Sequence, residues 1–507
     1  MRGSNQAEYS DASDIYPAIR SRGERNPVTT PASHSTIQDG LGASVKSIRS
    51  ESVAVASGLS QYPRWLLVPL ILVLAGSPIP VASNRPEYWM LWAAILLITL
   101  ALYLGGLALR GKAVQAPLRA YPILGTLAVA FIVYSFLQTL PLPFLDAEDG
   151  EPRTISIVPD ATMLAAIRWT SYAIFFFLCL QVAASRRLGR TMGWAAFFVV
   201  GIHCIYALVS FQYFGDAAYL GPAENAYADF VTGTFINRNS FATFAGMGFL
   251  VGLALLLRDA LETRRPGANA AHVLSAIGAQ TGLLWLLLII IFISIVASAS
   301  RMGIVATTVG GVAVVFLVLR KYSDVSRTAL LRAFLLLAVL FAISLFLFGD
   351  AVLKRSIFLE AEFAPRIHLY VRAVELFAAG PVLGFGRDSF ESAIQHVHRP
   401  PVSPDYLWDR AHSTYLSLWS ESGLIFGSLP ALIVGIILAR LILVDLKGSG
   451  DHLRAIIAIG VIVQTGLHSL VDFSLEMPAN VFLFVFLIAT AAARRPDRTA
   501  RRSTARP

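Results

Sequence analysis

Apolar residues fall in long unbroken runs along most of this chain. From Trp65 onward, segments of about 17 to 25 residues recur, the length an α-helix needs to cross the hydrocarbon core of a bilayer. Twelve can be marked: 65–81, 88–109, 120–144, 161–183, 192–214, 239–257, 282–299, 302–319, 333–349, 413–439, 455–471 and 478–493. None alternates with the period of two that a barrel strand shows, and only helices and closed barrels satisfy their backbone hydrogen bonds in lipid. The pattern predicts an all-α polytopic membrane protein of about twelve transmembrane helices over residues 61–495. Residues 1–60 are rich in Ser, Asp, Arg and Gly without apolar periodicity and read as a disordered tail. That tail is too long and too polar for the n-region of a signal peptide. Residues 496–507 form a short basic tail.

The polar connections orient the helices. One set carries Arg110, Lys112 and Arg119; Arg186, Arg187 and Arg190; Arg258, Arg264 and Arg265; Arg320, Lys321, Arg327 and Arg332; Arg440, Lys447 and Arg454; and Arg494, Arg495 and Arg498. The opposite set of short connections is nearly free of Lys and Arg, and one reads "DAEDGE" (146–151). The positive-inside rule places the first set, and with it both tails, in the cytoplasm. One connection stands apart. Residues 350–411 form a loop between the ninth and tenth segments, on the extracytoplasmic side by this topology, with seven basic residues: Lys354, Arg355, Arg366, Arg372, Arg387, Arg399 and Arg410. Loops of this length escape the positive-inside rule, and so much positive charge outside points to an anionic ligand.

Composition adds the solvent. Of 507 residues, 56% are hydrophobic and 14% charged, against about 25% charged in an average soluble protein; the mean hydropathy is +0.63. The net charge of +9 follows from the cytoplasmic basic loops and implies no nucleic acid. The two cysteines, Cys179 and Cys204, lie in apolar runs, so helix packing and not a disulfide framework holds the fold. There is no Walker sequence, no CxxC and no HExxH, which leaves a nucleotide, a structural zinc or any other metal cofactor without support. The acidic "DAEDGE" turn reads as solvated rather than as a cation site.

Three residues sit against their local preferences. "RIHLYVRAVELFAAGP" (366–381) reads as an amphipathic helix with Ile367, Tyr370, Val371, Val374 and Phe377 on one face. His368, Arg372 and Glu375 make a polar wedge opposite, and Gly380-Pro381 is a stop. Arg366 lies outside that wedge, in the first turn where the helix dipole disfavours a cation. Arg301 is the only charge in 282–319, at the outer turn of "SIVASASRMG", and an ionisable group there is a functional candidate. His412 opens the tenth segment at the end of the basic loop, and imidazole is the side chain that exchanges a proton near neutral pH. Each has a bland alternative: a snorkelling arginine, an interfacial arginine, a packing histidine. "TGTFINRNSFATF" (232–244) adds Asn239, with Asn239 or Ser240 as the expected helix cap. "HSLVDFSLEMP" (468–478) adds His468 and Asp472, spaced i, i+4 as a catalytic or a structural pair.

In order and spacing, "TGTFINRNSFA", "SASRMG", "RIHLYVRAVELFAAGPVLGFGRDSF", "AHSTYLSLWSESGLIFG" and "HSLVDFSLEMPAN" resemble the O-antigen ligase/polymerase superfamily, the WaaL/Wzy-type bacterial membrane glycan transferases. The likeness covers about 230–480. It departs where the family often has Trp in place of Tyr370 and His-Asn in place of His412-Ser413. The resemblance implies a metal-independent transferase in the bacterial inner membrane, working on the periplasmic side. The donor would be a glycan on undecaprenyl diphosphate, and the acceptor a hydroxyl of lipid A-core or of a growing polysaccharide. His412 would be catalytic and Arg301 and Arg366 diphosphate-binding, with Asn239, Tyr370, Arg372, Arg387, Tyr415, His468 and Asp472 supporting. A polymerase joining lipid-linked repeat units would use the same motifs. A transporter or flippase predicts internal repeats and helices interrupted midway; no repeat is visible, and the candidates cluster at one face.

Overall fold

The structure is a computed structural model that describes residues 63–142, 153–214, 229–262, 279–322, 359–404, 407–447 and 452–493. The two tails, the "DAEDGE" turn, the ninth segment (333–349) and residues 350–358 of the long loop lie outside the described residues. The rest is helical: α1 Leu67–Gly76, α2 Pro86–Ala108, α3 Pro122–Leu137, α4 Pro159–Ala183, α5 Arg186–Phe214, α6 Arg238–Glu262, α7 Ala279–Ala297, α8 Arg301–Tyr322, α9 Leu359–Ala379, α10 Phe390–Ile394, α11 Thr414–Gly427, α12 Leu429–Arg440, α13 His452–His468 and α14 Pro478–Ala492. Proline opens α2, α3, α4 and α14. Its fixed φ suits the first turn, and its missing N–H would have no helical partner there anyway.

Helix thus lies in eleven of the twelve segments marked in the sequence. Among the described residues, α2, α4, α5, α6 and α8 are long and apolar enough to cross a membrane, and α11 with Leu429–Leu443 makes a sixth if that bent pair counts as one span. Arg64–Gly76, Pro122–Leu137, Thr281–Ala297, His452–His468 and Pro478–Ala492 are apolar but only 10–17 residues long. At about 1.5 Å per residue these fall short of a bilayer core of about 30 Å. The sequence runs were longer because they included turns: 65–81 continues through "GSPIP", where helix cannot, and α1 stops at Gly76.

α6 is the hub. Its apolar window is 83% buried, against 22% for the peripheral α2, and it packs on α5, α7, α8, α13 and α14. Small residues allow this. A Cβ on Gly248 would sit 2.3 Å from Val200, and one on Gly252 2.2 Å from Phe197. In lipid, where no hydrophobic force separates helix from solvent, such close approach is what holds helices together. At the opposite end from the long loop, Arg454 donates to the carbonyls of Ala183 (2.8 Å) and Thr490 (3.1 Å), and Arg440 to that of Ala492 (2.6 Å). Cations on helix C-termini satisfy the last carbonyls and the dipole.

The long loop builds its own small core. Leu369, Ala373 and Leu376 of α9 pack with Phe390, Ala393, Ile394, Val402, Trp408 and Ala411. This corrects the face assigned to α9 from its sequence. Ile367, Val371 and Val374 are 54%, 45% and 50% exposed, and the buried stripe runs along the other apolar side. The helix also begins earlier than expected, with Pro365 inside it, and ends at Ala379, just before the expected stop.

The tenth segment is not one straight helix. α11 contains Gly423 in a non-helical conformation (φ 69°, ψ 172°), and the chain bends by 69° into Leu429–Leu443. The backbone groups freed by the break are taken up by "GPVLGFG" (380–386). Phe385 N–H donates to Ser420 O (3.1 Å), Gly386 N–H to Glu421 O (2.9 Å), and Leu424 N–H to Pro381 O (2.8 Å). Gln138, just after α3, donates to both Leu383 O (3.0 Å) and Glu421 O (2.9 Å). A Cβ on Gly423 would lie 2.0 Å from the Val382 carbonyl, so glycine is required there for space as well as for φ.

A close backbone approach between α8 and α13 yields a test. A Cβ on Gly310 would lie 2.8 Å from the Gly460 carbonyl, while one on Gly105 of α2 would meet nothing within 4 Å. Gly310→Val is expected to cost about 1–3 kcal/mol of overpacking and to lower the melting temperature of the purified protein. Gly105→Val should leave it unchanged; an equal loss for both would show that the α8–α13 approach is not special.

Candidate functional site

The N-termini of α6, α8, α11 and α14 and the C-terminus of α13 converge at one end, under the loop core. Asn237 caps α6: its Oδ1 accepts from the N–H groups of Asn239 (2.7 Å) and Ser240 (3.4 Å). The cap is therefore not Asn239 or Ser240, and Asn239 is released for other work. Its Nδ2 donates to Asp472 Oδ2 (2.8 Å) and its Oδ1 accepts from Ser300 Oγ (2.8 Å), in the residue before Arg301. Ser474 holds the other oxygen of Asp472. His468 Nδ1 bonds instead to Thr243 Oγ1. The i, i+4 pairing of His468 with Asp472 is not made, because α13 ends at His468 and the chain turns away.

His412 sits at the edge of this polar cluster. Its backbone is left-handed, with φ 52°, a strained state for a residue with a Cβ. Neighbouring groups hold it. Tyr370 Oη donates to the His412 carbonyl (3.0 Å). Ser413 Oγ donates to Ser469 O (3.3 Å) and Thr414 Oγ1 to Asp472 O (3.2 Å). Its ring meets Phe473 and Trp408 edge-on, with centroids 5.0 and 6.1 Å away. Nδ1 is shielded from solvent and makes no hydrogen bond. Burial, and then the nearby charge of Arg366, push its pKa below 6.5, against the pull of Asp472 and Asp409. The imidazole is therefore neutral at neutral pH and able to accept a proton. The Tyr370 hydroxyl is pushed up, chiefly by burial.

The arginines separate into two kinds. Arg372 pairs with Glu375 (2.5 Å), which also holds Arg399 (3.0 Å). Arg387 is 2% exposed and pairs with Glu421, itself 1% exposed. Both had been candidates for support near an anion, and both are already neutralised by carboxylates. Arg366, in contrast, has no carboxylate within ion-pair distance among the described residues, and its charge reaches both His412 and Tyr370. Arg301 opens α8 directly after Ser300. Tyr415 donates to Gly466 O (3.1 Å) and so ties α11 to α13 instead of facing the cluster.

A second group of charges, outside the candidates that the sequence singles out, lies beside this one. Arg168, in the middle of α4, donates to both oxygens of Asp388 (2.8 and 2.7 Å). Asp388 also lies 3.8 Å from Arg410, and Arg410 pairs with Glu476 (3.1 Å). With Arg387 and Glu421 this makes three cations and three anions, drawn from α4, α11 and three connecting segments. Trp89 and Trp169 cover the guanidinium groups of Arg168 and Arg387 at 5.7 and 5.8 Å. Burial alone would raise the pKa of Asp388; Arg168, Arg410 and Arg387 outweigh it and hold the carboxyl at about 2. Burial likewise pushes Glu476 up, against Arg410. A signal existed: Arg168 is the single charge in 161–183 and Glu421 the single charge in 413–439. Among the described residues no group of three or more His, Cys, Asp or Glu side chains is arranged to hold a metal ion.

The stretch that carries Arg301, Arg366, Asp388, Arg410 and His412 matches a known family. Residues 286–431 match the family model of O-antigen ligase. The match supports a place for this stretch in the O-antigen ligase/polymerase superfamily. The match supports an enzyme of ligase or polymerase type in polysaccharide biosynthesis, and with the apolar helices a multi-pass membrane protein. No curated protein matches the chain significantly.

Asp388 gives a prediction with a definite sign. Its carboxyl falls from an ordinary 3.8 to about 2 on folding, so at low pH the unfolded chain binds more protons than the folded one. The stabilisation, roughly 2 kcal/mol, is fully present above about pH 4 and is lost as pH falls through about 2. Asp388→Asn should lower the melting temperature at pH 7, because it leaves buried cations unpaired, and should flatten the decline between pH 4 and 2. An unchanged acid profile would remove Asp388 from the stabilising network.

Proposed function

We propose that this protein transfers a glycan from undecaprenyl diphosphate to an acceptor hydroxyl at the outer face of the bacterial cytoplasmic membrane, in the manner of an O-antigen ligase. One observation carries the reading: a neutral imidazole, fixed in a strained turn, lies beside an arginine with no carboxylate partner among the described residues, inside the segment that matches the ligase family. In this scheme Arg366 and Arg301 hold the diphosphate. Guanidinium forks fit phosphate oxygens, and fixed positive charge stabilises the negative charge that grows on the leaving group. His412 takes the acceptor hydroxyl proton as the acceptor oxygen bonds to the anomeric carbon. The anomeric C–O bond breaks and its electron pair leaves with the lipid diphosphate. Tyr370 holds the His412 carbonyl, Asp472 O receives Thr414, and Asn239 and His468 cross-link the helix ends beneath them. A polymerase would run the same steps with a lipid-linked repeat unit as acceptor, so offering lipid A-core and lipid-linked repeats separately tells the two apart.

With purified protein, lipid diphosphate-linked glycan and acceptor, His412→Ala should slow turnover about 10²–10⁴-fold, the usual worth of a general base, with donor binding nearly unchanged. The acid limb of the rate profile should have its midpoint below pH 6.5. Arg366→Gln removes a charge that pushes His412 down, so in that variant the midpoint should move up. Near-normal turnover by His412→Ala would sink the base assignment, and an unmoved midpoint would separate Arg366 from His412.

The topology has its own test. Ser392, exposed in the loop, and Lys112, exposed beyond the end of α2, can each be made the only cysteine. In intact cells an impermeant thiol reagent should label Ser392→Cys and spare Lys112→Cys; the reverse pattern would invert the proposed orientation.

A further inference from the structure

The proposed base is held on both sides, and the two anchors differ in kind. Downstream of His412, Ser413 and Thr414 bond to carbonyls of the 469–472 turn. Upstream, the anchor is Arg410, two residues away. Its guanidinium is 3.1 Å from Glu476 and 3.8 Å from Asp388. Glu476 closes the 3₁₀ turn Ser474–Glu476, which follows directly on the segment that holds Thr414. Asp388 in turn is fixed by Arg168 of α4 at 2.7 Å. A left-handed residue with a side chain is unfavourable and persists only where its surroundings over-determine it. An arginine with little solvent access between two carboxylates is a stiff way to do that, because moving it would separate charges that pair there.

We propose that Arg410 is a positioning residue for the His412 turn, set by Glu476 and, through Asp388, by Arg168. The inference rests on the reading of His412 as the base. It places two of the deciding groups, Arg168 and Glu476, outside the 286–431 segment that matches the ligase family. Arg410 acts through the backbone and not on the substrate, because its guanidinium already serves Glu476 and Asp388. The geometry of the proposed catalytic turn therefore depends on a helix more than two hundred residues upstream.

The test uses the full chain in lipid nanodiscs. Arg410→Lys keeps the charge but loses the planar fork that spans the two carboxylates in a fixed geometry. It should lower kcat about 10- to 100-fold, as small misplacements of a reacting group do, with the donor KM within about twofold. Glu476→Gln should act in the same direction and more weakly, and serves if Arg410→Lys fails to fold. A second readout needs no activity. His412→Cys, with Cys179 and Cys204 replaced by Ser, is treated with a thiol reagent, and its reaction rate should change several-fold when Arg410→Lys is added while the melting temperature holds. An unchanged kcat and an unchanged thiol rate would overturn the proposal. A raised donor KM at constant kcat would make Arg410 a donor-binding residue and overturn it as well. If the unaltered protein transfers no glycan, the functional reading fails by itself, and the thiol rate alone decides the positioning role.

Discussion

Charge taken out of water must be neutralised in place, and one end of this helical bundle is organised around that constraint. Arg168, Arg387 and Arg410 face Asp388, Glu421 and Glu476 with little solvent access. A lone buried ion would cost several kcal/mol, and removing one partner of a buried pair typically costs about 3–5. The six groups come from α4, α11, the two flanks of the loop core and the turn before α14, so neutralising them fixes those elements against one another. Backbone hydrogen bonds do the same for the break in α11. The carbonyls and N–H groups that a straight helix would have satisfied internally are met by residues 381–386 and by Gln138.

That arrangement sorts the arginines of the loop by what is left for them to bind. Arg372, Arg387 and Arg399 meet carboxylates of the chain, and Arg410 meets two of them. The charge of Arg366 falls instead on His412 and Tyr370, with no carboxylate beside it among the described residues. Seven positive charges on one loop suggest a broad anion-binding surface; of the five among the described residues, four meet carboxylates.

Much of this was legible in the sequence, for physical reasons. Lipid leaves the backbone only helix or closed barrel, and apolar runs without period-two alternation are helices, so eleven of the twelve segments contain helix. Arg301, Asn239, Arg366, Tyr370, His412, His468 and Asp472 were picked out by charge or polarity at helix ends, and the fold gathers them at one end of the bundle. What stayed hidden depends on contacts between distant segments. Periodicity finds an apolar stripe on α9 but cannot choose between two such stripes when both exist; the chain buries Leu369, Ala373 and Leu376, not Ile367 and Val371. Asn239 looked like a cap because Asn and Ser favour caps, yet Asn237, two residues earlier, does that work. Arg387 looked like an anion binder because its partner Glu421 lies 34 residues away, in a segment read as a plain membrane helix.

Strained backbone marks the same end of the molecule. Ala299, Asp388 and His412 all have positive φ, at 49°, 61° and 52°. Ala299 lies two residues before Arg301, Asp388 within the charge network, and His412 at the proposed base. Each such conformation is unfavourable by itself, so each must be imposed by stronger local forces. For Asp388 the force is visible in two hydrogen bonds from Arg168. For His412 it is the pair of anchors on the turn before α14, one of hydrogen bonds and one of charge. Strain and buried charge are therefore coupled: the network makes the strained turns tolerable, and the turns aim side chains where regular helix could not. A helix running straight through 412–427 would satisfy more backbone and strain less. It would also carry His412 around the helix axis, away from Arg366, and leave Glu421 without the loop that brings it Arg387.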